Sequence, residues 1–573
     1  MDNKQENDEI LEKSREIGGL SSDVDSITVD DIDIHRKYTR KQQDDVKIDN
    51  HKEKSKRTPE QIIEDKKFIY YVISYTLVSV IAAVSRFVKI NFSDTGTPVF
   101  DEKHYAPQAT QMLYNGGMEN NPGYGLVVHP PLGKMLISIG EKIFGYTPLG
   151  WRFSSVIAGI LITLLLCFIT HKVTKSPLLI FFTGVLATTE GIMFTMSRAA
   201  MLDIFQSLFI TGIFMCTVFY IYSNYEKRRV PWHQRYWLLG VCIFSGLALC
   251  IKISGIYYPF VFGVCLVIYT FFAQREYTVE NHKKIYESLF SKKRIWNLFK
   301  CIGFGLFSLL VIPVSMFLLS YANWFRNETA WDRHAIEQGT NYFQFPNWVV
   351  NTFPNGLLNF FSMYADILQF HTSLTTSKGN THPWESKPWQ WLFGDKPMLF
   401  MTQNNADGLK SEIWLFGNMG VWLLLVFVLI YGIYRIMNKD RMWTVTIIGF
   451  FTGFVPWVIA YDRQMYLFYA APLAPFVVIM YILLIRDITG LINTKSNTER
   501  MTMWTAIVGT LIVLPSVIVF VYYIPILYGV FVSDDKLESF KVFHTWMQID
   551  DSKENYGIDS IGIVKKIKDI FTQ

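Results

Sequence analysis

The chain has 573 residues, of which 50% are hydrophobic, 16% aromatic and only 18% charged, with a formal net charge of +5. A soluble domain carries nearer a quarter charged residues, so this composition excludes a soluble globular protein and predicts a polytopic membrane protein. The small positive excess is what basic loops supply when they hold a membrane topology, and it calls for no nucleic-acid partner.

Residues 1–66 are highly charged without a sustained apolar face and read as a disordered cytoplasmic tail. No cleavable signal peptide is read in it, so the first span is expected to insert as an internal anchor. Apolar windows of spanning length then follow at 68–90, 151–171, 177–195, 202–223, 236–251, 253–272, 299–320, 412–436, 442–460, 465–486 and 502–525. The expectation is an all-α protein of about eleven transmembrane helices. With the tail inside, the short basic connections "HKVTK", "NYEKRRVPWHQR", "AQREYTVENHKKIYESLFSKKR", "MNKDR" and "RDITGLINTKSNTER" all fall on the cytoplasmic side. The long connections 91–150 and 321–411 fall outside, and so does a C-terminal tail, 533–573, leaving 67–532 as one membrane-embedded domain. "VVHPPLGKMLISIGEKIFG" suits an amphipathic helix on the membrane surface, with Lys134 and Lys142 off its apolar stripe. Trp384, Trp389 and Trp391 in "HPWESKPWQWLFGDKP" predict a loop held at the outer headgroup zone. All six cysteines lie in or beside apolar runs, without a CxxC pair, and read as small buried hydrophobes.

Ionisable residues in or beside spans are costly and point to function. Here they are Asp101, Glu102, Arg152, Glu190, Arg198, Asp203, Lys252 and Arg463, and the topology puts every one at the outer end of its span. Each also has a plain structural explanation. Arg152 can reach outer headgroups, Arg198 and Asp203 can pair within a hairpin, and Lys252 and Arg463 can mark tight turns. Glu190 can bond a neighbouring helix, and the Asp101–Glu102 pair can cap a surface helix. Their shared side argues instead for a charged cavity open at the outer face. Arg and Lys suit phosphate, and a carboxylate can accept a proton from an attacking hydroxyl. No P-loop or dinucleotide fingerprint is present to bind a nucleotide donor. A phosphate carried on a lipid would reach such a cavity through the bilayer.

Several stretches in chain order resemble the protein O-mannosyltransferase family: "FDEKHYAPQA", "HPPLGK", "GWRFSSVIAG", "SRAAMLDIF", "LALCIKISGIY", "HTSLTTSKGNTHPWESKPWQW" and "DRQMYLFYAAPLAP". They run from about 68 to 486, and "HPPLGK" with the His-Pro-Trp loop is more specific than the acidic pair, which the wider glycosyltransferase clan C shares. The resemblance implies the clan C fold, a polyprenyl-phosphate-mannose donor, and inverting transfer of mannose to Ser or Thr of secreted proteins at the cell membrane. It implies Asp101 as the catalytic carboxylate with Glu102 beside it, and Arg152, Lys252 and Arg463 at the donor phosphate. His129, Arg198, Asp203, His382 and Trp384 are implied as supporting residues. The connection 321–411 is too short for the β-trefoil domain of eukaryotic members plus the motif region. The chain therefore looks like a bacterial member, with undecaprenyl- or decaprenyl-phosphate mannose as donor.

The expected step is a single displacement in which the lipid phosphate leaves unprotonated, so one carboxylate suffices where an inverting glycosidase needs two. That scheme calls for no cofactor and no metal, and no ligand cluster is visible in the sequence. Partners are the lipid donor and Ser/Thr-containing polypeptides, handed over by the secretion machinery. Two other readings remain open: a clan C transferase acting on a glycolipid or cell-wall polymer, and a transporter. The transporter is disfavoured by the missing internal repeat and by charges gathered at one end.

Overall fold

A computed structural model describes residues 59–92, 96–119, 127–226, 236–273, 307–341, 343–378, 382–492, 498–543 and 546, with scattered positions between 277 and 305. The expected N-terminal tail lies outside these residues, apart from its last few positions, as do 547–573.

The helices, in order, are α1 (Pro59–Phe87), α2 (Glu102–Tyr114), α3 (Leu132–Phe144), α4 (Pro148–Thr174), α5 (Pro177–Thr189), α6 (Gly191–Met196), α7 (Leu202–Glu226), α8 (Tyr236–Leu249) and α9 (Tyr257–Ala273). After a short hairpin, β1 (Tyr277–Glu280) and β2 (Lys283–Tyr286), come α10 (Ile312–Ser320), α11 (Asn355–Ser373) and α12 (Pro388–Phe393). A second antiparallel hairpin, β3 (Met398–Asn404) with β4 (Lys410–Leu415), leads into α13 (Leu425–Met437). The chain continues through α14 (Arg441–Ile459), α15 (Ala474–Ile492), α16 (Thr498–Tyr522) and α17 (Asp534–Ser539).

Six helices among the described residues are long and apolar enough to cross a membrane, and five shorter apolar helices accompany them; together they match the eleven windows read from sequence. Several windows run past their helices. That of 177–195 is broken at Glu190 between α5 and α6, that of 412–436 begins in β4, and that of 465–486 takes in a 3₁₀ turn, Leu467–Ala470, before α15. Apolar content alone does not separate a buried strand or turn from a span.

Local chemistry sets the boundaries. The α4–α5 connection is Lys175, in the left-handed conformation, and Ser176, which caps Leu179 N with Pro177 at the first helical position. Helix α7 is central, with 89% of its spanning window buried, against 28% for α16. It packs between α4 and α8, while α5 lies against α4, α15 and α16. Gly159 lets α4 approach closely: a Cβ there would meet the Ser197 side chain and Arg86 Nε.

In the first long connection α3 is amphipathic, as expected: Lys134, Ser138 and Glu141 are buried, while Ile139, Ile143 and Phe144 form an exposed apolar edge suited to a membrane surface. Lys134 lies off that edge and donates to Glu119 and to the His129 carbonyl, forming an internal ion pair. In the second connection the expected headgroup placement does not fit Trp391, which is buried with its indole N–H on Ser386 Oγ. Trp384 and Trp389 are half-buried, Trp384 packing on the main core, and the exposed large aromatics among the described residues of that connection are Phe343, Trp348, Phe353, Phe361 and Phe370. The start of the expected C-terminal tail is part of the folded body, since Leu537, Phe540 and Trp546 share a cluster with Phe194, Trp414 and Tyr523.

Candidate active site

The chain leaves α1, turns at 99–102 and enters α2. Asp101 stands at the α2 N-cap position, but its side chain makes no capping bond. The helix-cap explanation of the acidic pair therefore does not hold. Asp101 and Glu102 diverge, and their surroundings differ completely.

Glu102 is fully buried and accepts four hydrogen bonds. Arg152 Nε and Nη2 each donate at 2.7 Å, Val99 N–H at 3.0 Å and Ala200 N–H at 2.8 Å. Arg152, equally buried, places Nη1 on the Ile90 carbonyl at 2.7 Å and its guanidinium 3.7 Å from the Phe92 ring. All three of its nitrogens are engaged inside the protein. The expectation that Arg152 faces a donor phosphate does not fit this geometry, and Glu102 has no free oxygen to share with a substrate. The pair ties the start of α2 to α4 and to the turn before α7.

Asp101 instead senses Lys252 and Asp203. Burial pushes its carboxyl up to about 6; Lys252 opposes that rise and Asp203 adds to it. Lys252 Nζ donates to both Asp203 oxygens, at 2.8 and 2.7 Å, and lies 5.4 Å from the Phe468 ring. An ammonium has three donors, so Lys252 keeps one beyond the Asp203 pair. Lys252 and Asp203 line a cavity of about 300 Å³ together with Gln206, His129, His371 and Arg463. Beside it, an apolar groove of about 480 Å³ runs between α9 and α14, sharing Ile256 and Tyr257 with the cavity.

Arg463 follows α14 and reaches back to α11. Its Nη1 donates to the His371 carbonyl at 2.5 Å and its Nη2 to His371 Nδ1 at 3.2 Å, while its buried Nε has no partner among the described residues. A guanidinium can only donate, so His371 Nδ1 accepts and its Nε2–H donates to the Val128 carbonyl at 3.2 Å. Burial first and Arg463 second lower His371 to about 4, so the ring is neutral. His129 stacks on it with centroids 5.7 Å apart, and burial with Lys252 nearby holds His129 well below the ordinary histidine range.

The remaining residues support from outside the cavity. Arg198 is buried and donates to the carbonyls of Ser85, Arg86, Val88 and Lys89, closing the C-terminal end of α1. It does not pair with Asp203. Glu190 caps α6 through Ile192 and Met193 N–H and accepts from the Trp422 indole. His382 Nδ1 accepts from Trp384 N–H, and the His382 ring meets Tyr466 edge-on at 5.3 Å. Tyr466 in turn senses Asp101 and Arg463. The loop is strapped to the turn after α14, with Thr376 N–H on the Asp462 carbonyl, Ser386 N–H on that of Met465 and Lys387 Nζ on that of Arg463. Among the described residues no group of three His, Cys, Asp or Glu is placed to hold a metal ion.

Residues 76–326 match the family model for dolichyl-phosphate-mannose–protein mannosyltransferase, and 356–546 match that for the C-terminal four-transmembrane region of protein O-mannosyltransferase. The chain belongs to the protein O-mannosyltransferase family. It is 35% identical over 451 residues to a polyprenol-phosphate-mannose–protein mannosyltransferase of Mycolicibacterium smegmatis, covering 74% of this chain and 84% of that one. To the protein of the same name from Corynebacterium glutamicum it is 34% identical over 503 residues, covering 82% and 93%. Its fold is similar to that in the structure of the S. cerevisiae protein O-mannosyltransferase Pmt1–Pmt2 complex bound to the sugar donor, with a TM-score of 0.63 at 14% identity, covering 84% and 93%. The chain is thus a multi-pass membrane glycosyltransferase.

Two residues at or beside the site, and one that braces the end of α1, escaped sequence reasoning. His371 opens the stretch "HTSLTTSKG" but does not look unusual in a polar connection. Tyr466 reads as one more aromatic beside a span. Arg86, buried with Nε on Ser197 Oγ at 3.0 Å, reads as a flanking positive charge after a first span.

Proposed function

We propose that the enzyme transfers mannose, with inversion, from a polyprenyl-phosphate donor to Ser or Thr hydroxyls of polypeptides. The observation that carries this is the charged cavity adjoining a largely apolar groove: a lipid-linked phosphate needs both, side by side. In the proposed step, Asp101 accepts the proton of the hydroxyl as that oxygen bonds to the anomeric carbon. The bond from that carbon to the phosphate oxygen breaks, and the polyprenyl phosphate leaves with the electron pair. Lys252, with its remaining donor, and Arg463, on the wall of the same cavity, offset the charge gathering on the phosphate. Gln206, on the cavity wall, is in place to meet sugar hydroxyls, and the groove between α9 and α14 suits the polyprenyl tail. Asp101 remains largely ionised at neutral pH while basic enough to take a proton. The scheme routes no step through a metal.

The basic connections support a cytoplasmic N-terminus and a site at the outer face of the cell membrane, where polypeptides leaving the secretion machinery could be met. The test uses purified protein, polyprenyl-phosphate [¹⁴C]mannose and a Ser/Thr-rich peptide. Labelled peptide is expected. Label moving only to lipid, or donor crossing proteoliposomes without transfer, would displace this reading.

A further inference from the structure

The residue before Asp101 has a backbone that does not suit its side chain. Phe100 has a φ of 46°, in the left-handed region. It sits in a turn closed from both ends: Glu102 N–H donates to the Val99 carbonyl at 2.9 Å, and Val99 N–H donates to Glu102 Oε2 at 3.0 Å. The central residues are Phe100, at positive φ, and Asp101, at φ −69° and ψ −10°. A positive first position followed by a right-handed second is a pattern in which glycine is the ordinary first residue. A large side chain persists there only when its surroundings over-determine it.

Those surroundings are two rings from elsewhere in the chain. Phe100 stacks on Phe400 of β3, with centroids 4.9 Å apart and planes at 29°. It also meets Phe468 edge-on at 6.0 Å, and Phe468 is the ring 5.4 Å from Lys252 Nζ. One phenyl group thus joins the Asp101 turn, the β3–β4 hairpin and the aromatic wall beside Lys252. The backbone alone would be easier with glycine, so the ring must be retained for what it holds.

We propose that Phe100 is a positioning residue for transfer: clamped by Phe400 and Phe468, it fixes the Asp101 carboxylate at one spacing from Lys252. The proposal rests on the mannosyl-transfer reading, with Asp101 as base. Phe100 touches none of the reacting atoms and acts through Asp101. Its removal therefore disturbs the proton-accepting step more than donor binding.

The experiment compares Phe100→Gly, Phe100→Tyr, Phe400→Leu and the Phe100→Gly/Phe400→Leu double variant, with Asp101→Asn as reference. Transfer to a Ser/Thr peptide is measured across donor concentrations, alongside the thermal midpoint in detergent. Phe100→Gly is expected to lower kcat about 10²-fold with donor KM within about two-fold, because a misplaced base costs rate and not binding. Its thermal midpoint should fall, because the relief of the strained turn only partly offsets the loss of the stacked ring, so kcat is compared on the folded fraction. Phe100→Tyr should restore most of kcat. Phe400→Leu should lower kcat by itself, and the double variant should be no worse than Phe100→Gly, as expected for two ends of one contact. Wild-type kcat in Phe100→Gly overturns the proposal, as does a loss carried wholly by donor KM. If Phe100→Gly does not accumulate, Phe400→Leu probes the same stack, and unchanged kcat there overturns it equally. An inactive Asp101→Asn beside a fully active Phe100→Gly removes the positioning role alone. An active Asp101→Asn removes the underlying reading.

Discussion

Arg152→Met separates a fold lock from a phosphate ligand. In the wild type, the guanidinium makes two 2.7 Å charge-assisted bonds to Glu102 and one to the Ile90 carbonyl, with both side chains fully buried. Methionine fills much of the volume but leaves the Glu102 carboxylate with only the Val99 and Ala200 N–H groups as partners. Breaking one side of a buried ion pair costs about 3–5 kcal/mol, because the surviving charge stays desolvated. Against a total stability of about 5–15 kcal/mol for a folded domain, that loss is large. The expected result is a sharply lower thermal midpoint in detergent and poor yield, while the folded fraction binds donor with unchanged KM. Glu102→Gln should destabilise too, since an amide cannot accept from both guanidinium nitrogens through two oxygens. Combining Glu102→Gln with Arg152→Met removes both charges, so the double variant should cost less than the sum of the singles by about 1–3 kcal/mol. Assays would be thermal unfolding by intrinsic fluorescence and donor titration in the transfer reaction. An Arg152→Met protein with a wild-type midpoint and a raised donor KM would refute the lock and return the guanidinium to the phosphate.

Asp101→Asn should lower transfer by about 10²–10⁴-fold while donor binding survives, as measured by labelled-donor retention. In the wild type, burial holds the Asp101 carboxyl up at about 6, so its proton-accepting form is lost as pH falls through that value. kcat/KM should therefore be level above pH 6 and fall about ten-fold per unit below it, and a flat profile from pH 5 to 8 would count against Asp101. Lys252→Met removes the one ammonium that both acts on Asp101 and lines the cavity. A lost charged hydrogen bond of about 1.5–3 kcal/mol raises donor KM about 10- to 150-fold and leaves peptide KM alone, which a two-substrate titration checks. Cysteines replacing Asn115 and Asn380 should react with an impermeant thiol reagent in intact cells, while those replacing Arg228 and Lys293 should not; the opposite pattern would reverse the orientation.

The sequence carried the membrane architecture because spans are written in contiguous residues. Apolar length and loop charge are local properties, and they located the helices to within a few residues wherever no strand or turn intervened. The elements that were misread have surroundings built from distant segments. The pattern of α3 was legible, but the partner of Lys134 was not, since Glu119 lies 15 residues earlier in the chain and outside the helix. The tryptophans after His382 looked interfacial for the same reason, since nothing in "HPWESKPWQW" reveals the core that receives Trp391.

The same distinction explains why a one-sided cluster of charges was legible while the individual roles were not. Alternating spans bring the charge-bearing ends of α1, α4, α7, α8 and α14 to one side whatever the side chains do, so charge at those ends gathers by topology alone. Which charges then neutralise one another depends on rotamers and on irregular backbone. Arg152 turns to Glu102, Arg198 to the carbonyls ending α1, Lys252 to Asp203 and Arg463 to His371. A buried cation that lines no cavity and donates to groups of the protein itself serves the fold, and one on a cavity wall is near enough to a ligand to serve it. Unspent donors do not make that distinction, since Arg198 Nε and Arg463 Nε both lack a partner among the described residues. Position does: Arg152 and Arg198 line neither cavity nor groove and hold the first connection in place, whereas Arg463, braced by His371, lines the same cavity as Lys252.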